Sequence, residues 1–142
     1  MNLVILNSLE SLKEFTADTI IDVRAPAEFA DDHLPGAINL PVLDDTQRSE
    51  IGTVYKQNPF TARKKGAALV ALNASKHLQG PLATKDGGWQ PLIYCWRGGQ
   101  RSSAFATILE QVGWRVQLLE GGYRSYRREV VKALYELSLI HI

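Results

Sequence analysis

The chain has 142 residues, 45% of them hydrophobic and 22% charged, with a formal net charge of +1. These totals fit one globular domain and argue against disorder, and against a global field that would draw the molecule to nucleic acid or an anionic bilayer. The opening "MNLVILNSLESLKEF" has no basic region and no long apolar run, so it reads as neither signal peptide nor membrane span, and a cytoplasmic protein without membrane contact is expected.

Short β-rich runs occur at Leu3–Leu6, Thr19–Val23, Ala37–Leu40, Leu92–Tyr94 and Val116–Leu119. Each is apolar without clean alternation, the pattern of strands covered on both faces. Helical patterns lie between them. Ser8 is placed to cap "LESLKEF", Pro26 suits the first turn of "APAEFA", and Asp44 or Asp45 can open a helix toward Tyr55. Helices are also predicted over Phe60–His77, Ser102–Val112 and Tyr123–Leu137, and Gln79–Pro91 is the most loop-like segment. Alternating strands and helices predict an α/β fold, a mostly parallel five-stranded sheet with helices on both faces. One domain is expected over residues 1–137, with 138–142 a tail that reads as a helix end, a strand or the stub of a longer chain.

The single cysteine forms no internal disulfide and has no resolving partner, which suits a reducing compartment. It sits in "YCWRGGQRSS", Tyr94–Ser103, between an apolar strand and a helix start. Ligands of open α/β sheets bind at the carboxyl ends of strands, where the next helix points its free N–H groups. Gly98 and Gly99 let the backbone curl into an anion nest around Trp96–Gln100. A helix N-terminus flanked by arginines favours thiolate over thiol, so Cys95 is the candidate nucleophile. Arg97 and Arg101 are the candidate oxyanion clamps, and Trp96 either roofs the pocket or receives a flat substrate, or else is a buried anchor. Asp22 and Arg24 follow a strand end, and Asp22 is expected to brace the cysteine loop or the helix after it. His33, His77 and His141 lie far apart without paired cysteines or clustered carboxylates, so no metal site and no resident cofactor are expected.

Three segments in order, "IIDVRAPAEFADDHLPGAINLP", "YCWRGGQRSS" and "LLEGGYRSY", resemble the rhodanese-like domains over nearly the whole chain. With "EIGTVYKQNPFTARKKGAALV" and "LEGGYRSYRREV", the chain is most similar to the N-terminal rhodanese domain of the bacterial tRNA 2-selenouridine synthase branch. The resemblance implies that Cys95 carries sulfur or selenium as a persulfide or perselenide, with thiosulfate or selenophosphate as donor and a tRNA wobble 2-thiouridine as eventual acceptor. It implies a structural role for the turn around His33, Pro35 and Gly36, leaving general-base catalysis by His33 as the lesser reading. Enzymes of that branch continue into a domain with a phosphate-binding loop, and this sequence has no G-x-x-x-x-G-K-[ST]. A truncated domain, or a relative working with a separate partner, is therefore expected.

Gly121 and Gly122 are placed to let backbone approach the active loop. Arg124, Arg127 and Arg128, beside Tyr123 and Tyr126, read first as a solvated helix face or docking seam and second as a tRNA phosphate contact. "ARKK", Ala62–Lys65, reads as exposed helix. Two other functions fit the same loop. "CWRGGQR" is also a Cys-x5-Arg pattern of cysteine-dependent phosphatases, and a non-catalytic binding module would need no thiol at all.

Overall fold

Five short apolar runs form one sheet in the computed structural model, which describes residues 1–140. The strands are β1 (Asn2–Val4), β2 (Thr19–Asp22), β3 (Ile38–Asn39), β4 (Pro91–Tyr94) and β5 (Gln117–Leu119). Their order is β1-β5-β4-β2-β3 and every pairing is parallel. Parallel neighbours require crossovers, which are supplied by a 3-10 helix (Leu9–Glu14) and by α1 (Pro26–Asp31), α2 (Asp45–Gln57), α3 (Pro59–Gln79) and α4 (Gln100–Val112), while α5 (Gly122–Ile140) follows the last strand.

Local chemistry sets the helix ends. Of the two candidate caps, Asp44 takes the role: its carboxylate accepts the Gln47 N–H at 2.7 Å while the Gln47 side chain accepts the Asp44 N–H at 3.0 Å. Asn58 caps α3 in the same way through the Thr61 N–H, with Pro59 in the first turn. Ser8 departs from expectation. Its hydroxyl meets the Ser11 hydroxyl at 3.2 Å and makes no cap bond, and the segment it opens is a 3-10 helix. Ser138–Ile140 continue α5, so the first part of the predicted tail is helix, while His141 and Ile142 lie outside the described residues.

The pleat of β4 divides the core. Ile93 and Cys95 face Ile21 and Val23, with Val70 and Ala74 of α3 and Phe105 and Leu109 of α4 closing that layer. Leu92 and Tyr94 face the opposite way, against Leu6, Leu34, Leu119 and Tyr123. Full burial of such a side chain contributes roughly 2 kcal/mol, so both faces hold the central strand in register. Cys95 therefore leaves the sheet at the carboxyl end of a strand that is fixed on every side.

Candidate active site

Cys95 follows the last residue of β4 and is 3% exposed. Its Sγ lies 3.1 Å from the hydroxyl of Ser102, which is also within 3.2 Å of the Gly99 carbonyl oxygen. The loop from Trp96 to Gly99 curls over this point, with Gly98 at φ +76°, a left-handed conformation that glycine adopts without strain. Among the described residues, no backbone N–H from Trp96 to Ser102 has a protein acceptor. Unpaired N–H groups at a strand-to-helix turn form an anion cradle.

The first turn of α5 holds the outer edge of this loop. The Tyr123 N–H donates to the Cys95 carbonyl at 2.8 Å, and the Arg124 N–H donates to the Trp96 carbonyl at 3.0 Å. Gly122, at φ +57°, packs directly beneath: a Cβ there would meet the Gly98 nitrogen at 2.8 Å and the Trp96 carbonyl carbon at 2.9 Å. Gly121, at φ +77°, lies against Ser125. Both glycines are thus at the loop, with Gly122 at the close contact.

Asp22 is fully buried and makes no bond to the cysteine loop or to α4, contrary to the expectation of a brace there. Its carboxylate instead accepts from the Arg24 side chain at 2.7 to 3.0 Å and from the Arg24 backbone N–H at 2.9 Å. Two residues apart and both at the end of β2, they neutralise each other in place. Burial works against the Arg24 charge, but Asp22 outweighs it and holds the guanidinium above its ordinary pKa. Arg24 supports the site from below: its guanidinium carbon is 4.2 Å from the Tyr123 ring centre, 5.8 Å from that of Tyr94 and 6.0 Å from that of Trp96. Burial, with Asp22 adding to it, pushes the Tyr94 phenol well above its usual range, and the Leu34 N–H, donated to the Tyr94 hydroxyl at 3.1 Å, only partly offsets this.

Arg101 also departs from expectation. Its guanidinium donates to Glu28 Oε1 at 2.7 Å, so it is an ion-pair partner rather than a free anion clamp. The same oxygen accepts the Ala25 N–H at 3.1 Å and lies 3.2 Å from Arg48. Arg97 is exposed and forms no ion pair among the described residues. It joins Trp96, Gly121, Arg124, Arg127, Arg128 and Val131 in lining a cleft of about 500 Å³. The α5 arginines are exposed, as a solvated face would be, and they line this cleft together with Trp96 and Arg97 of the cysteine loop. Trp96 is 38% exposed and lies 5.3 Å from the Tyr123 ring, so it is a wall of the site and not a buried anchor.

His33 donates through Nδ1 to the Phe29 carbonyl at 2.8 Å and stacks on the Phe29 ring at 3.7 Å. The turn after it is closed by the Ala37 N–H on the Leu34 carbonyl, with Gly36 at φ +78°. Among the described residues, no group of three or more His, Cys, Asp or Glu side chains could hold a metal ion, and no helix is long and apolar enough to cross a membrane.

Three contributors escape a linear reading. Glu28 meets Arg101 across 73 positions, and the Tyr123 hydroxyl donates to Asp32 at 2.6 Å across 91. The third, Ser102, was overlooked although its place in the first turn of α4, seven residues after the thiol, was an available signal for the contact.

A cysteine-bearing loop at the end of the central strand of a five-stranded parallel sheet fits the class that the sequence comparison shows: the chain belongs to the rhodanese-like domain family, whose model matches residues 6–129. Over 122 residues it is 38% identical to the tRNA 2-selenouridine synthase of Bdellovibrio bacteriovorus, a match taking in 84% of this chain and 32% of that protein. Over 127 residues it is 39% identical to the protein of the same name from Nitrosomonas europaea, covering 87% and 33% respectively. The chain spans about a third of the length of these curated relatives. Among solved structures it resembles the N-terminal domain of a Clostridium difficile 630 protein named for ATP/GTP binding, with TM-score 0.75, 32% identity, and coverage of 91% of this chain and 98% of that one. A rhodanese-related protein of Thermoplasma volcanium shares the fold at TM-score 0.56 and 19% identity, covering 91% of this chain and 93% of that one.

Proposed function

We propose that this domain carries sulfur or selenium on Cys95, as a persulfide or perselenide, for a tRNA 2-selenouridine synthase activity that replaces the sulfur of a wobble 2-thiouridine. The observation that carries this reading is the Cys95 thiol set beneath a run of unpaired backbone N–H groups, Trp96 to Ser102, at the start of α4. Such a cradle stabilises both an anionic donor and the negative charge on a terminal chalcogen. With thiosulfate, the thiolate attacks the outer sulfur, a new S–S bond forms, and sulfite leaves with the electron pair of the broken bond. The chain has one cysteine, so the loaded atom must pass to an acceptor outside it. The relatives' name supports tRNA as that acceptor, and the chain's span of about a third of their length supports the need for a further domain or partner. With selenophosphate as a second donor, the thiolate would attack selenium, an S–Se bond would form, and phosphite would leave with the electron pair of the broken P–Se bond.

A phosphatase of the Cys-x5-Arg type would need Arg101 turned onto the phosphate and a free acid over the thiol. Arg101 is paired with Glu28 and Asp22 with Arg24, so the geometry favours chalcogen transfer. Intact-mass spectrometry after incubation with thiosulfate, and separately with selenophosphate, tests the proposal. A gain of one sulfur or one selenium that Cys95→Ala abolishes is the expected result. No adduct from either donor, together with Cys95-dependent hydrolysis of an aryl phosphate, would overturn it.

A further inference from the structure

We propose that the cleft between the cysteine loop and α5 binds single-stranded RNA, with a base stacked on Trp96 and phosphates held by Arg97, Arg124, Arg127 and Arg128. This deepens the function proposed above and rests on it for the biological role of the RNA, though not for the binding itself. Overall charge gave no hint of such a site, because the chain is only +1. The fold concentrates what the total conceals. Arg124, Arg127 and Arg128 share one face of α5 by their helical spacing, and the bond from the Arg124 N–H to the Trp96 carbonyl sets that face beside the loop. All four arginines line one cleft of about 500 Å³ that contains no carboxylate. All four are exposed, and among the described residues none forms an ion pair, whereas Arg24, Arg48 and Arg101 each do.

The aromatic component distinguishes RNA from a simple anion. Trp96 is more than one-third exposed, and its ring is backed by Tyr123 at 5.3 Å, which in turn lies over the buried Arg24 at 4.2 Å. An indole fixed in this way loses little freedom when a base stacks on it. A stacking platform flanked by cations is the arrangement that binds single strands with little sequence preference. A duplex hides its base faces, and an acidic peptide has no flat ring to place on the indole. Trp96 is also next in sequence to the proposed nucleophile, so a strand held here lies beside the reactive loop.

Fluorescence anisotropy of the full chain with a short labelled single-stranded oligouridylate, across a salt series, tests this. Binding should weaken with salt, and changing Arg124, Arg127 and Arg128 together to Gln should flatten the log–log slope by about two and weaken binding by about tenfold or more. Arg127→Gln alone should give a smaller change of the same sign. Trp96→Ala should weaken binding by about fivefold or more, and Trp96→Phe should restore most of it. Unchanged affinity and slope in the triple variant, equal binding of a duplex of the same length, or equally effective displacement by polyglutamate would each overturn the proposal. The titration can be run on Cys95→Ala, so its outcome does not depend on whether the thiol accepts sulfur or selenium.

Discussion

Gly122 occupies space that no other residue can: a Cβ at its position would collide with the carbonyl oxygen of Cys95. That carbonyl is already engaged by the Tyr123 N–H, so neither partner can retreat without breaking the bond that shapes the loop. Gly122→Ala should therefore destabilise the domain by about 3 kcal/mol and abolish loading of Cys95, as urea denaturation and intact mass will show. Gly121→Ala meets only Ser125 at 3.2 Å and should cost about 1 kcal/mol, chiefly from its positive φ.

Among the described residues, Ser102 is the one side chain hydrogen-bonded to Cys95 Sγ. Its one hydroxyl proton goes to the Gly99 carbonyl at 3.2 Å, and rotation of the hydroxyl would turn that proton onto the sulfur once the thiol has lost its own, so Ser102→Ala should slow alkylation of Cys95 by iodoacetamide at neutral pH. A hydrogen bond worth about 1 kcal/mol corresponds to roughly fivefold in rate. Ser102→Thr, which keeps the hydroxyl, should retain most of it.

Glu28 couples α1 to α4. Burial raises its carboxyl pKa, but Arg101, the Ala25 N–H and Arg48 outweigh burial and hold it below the usual carboxylate range. A depressed folded-state pKa contributes stability that is fully present above the unfolded value of about 4.3 and is lost as pH falls through the lower folded value. Glu28→Gln should thus destabilise the protein by about 2 kcal/mol at pH 7. The gap to wild type should close in acid, as urea melts across pH will measure.

Tyr123 should titrate late. Burial first, and then its hydrogen bond to Asp32, push the phenol up to about 12. The sign is opposite to that of Glu28: the contribution to stability is complete below the ordinary tyrosine value near ~10 and is lost as pH rises through the folded value. Ultraviolet titration of wild type against Tyr123→Phe should isolate this late ionisation, and Asp32→Asn should bring it earlier.

The places of the strands and helices along the chain were legible because each buried run stands out by composition, and β4 ran into Cys95 as read; the order of the strands in the sheet was not read from the sequence. Boundaries moved where local chemistry decided them, as when α4 began at Gln100 rather than Ser102. The charged residues were the harder part. Arg101 looked like a clamp because it lies near the cysteine in sequence, but Glu28, a half-buried carboxylate far away in the chain, takes its charge. Asp22 looked free to brace the loop, but Arg24 two residues on is a nearer partner. The α5 arginines were read first as a solvated face or docking seam and second as a tRNA phosphate contact, because the net charge is only +1, and one sequence gives their helical phase but not which way that phase points. Only the packing of α5 on the loop supplies that direction.

The two backbone bonds from α5 to the cysteine loop make helix and loop one mechanical body. At 19 residues α5 is about 28 Å long, so it acts as a rigid arm with its near end against the nucleophile's own carbonyl. Whatever grips its outer turns, through the exposed Val131, Leu134, Tyr135 and Leu137, holds the far end of that arm. A restraint placed there would reach the loop over Cys95 through those two backbone bonds.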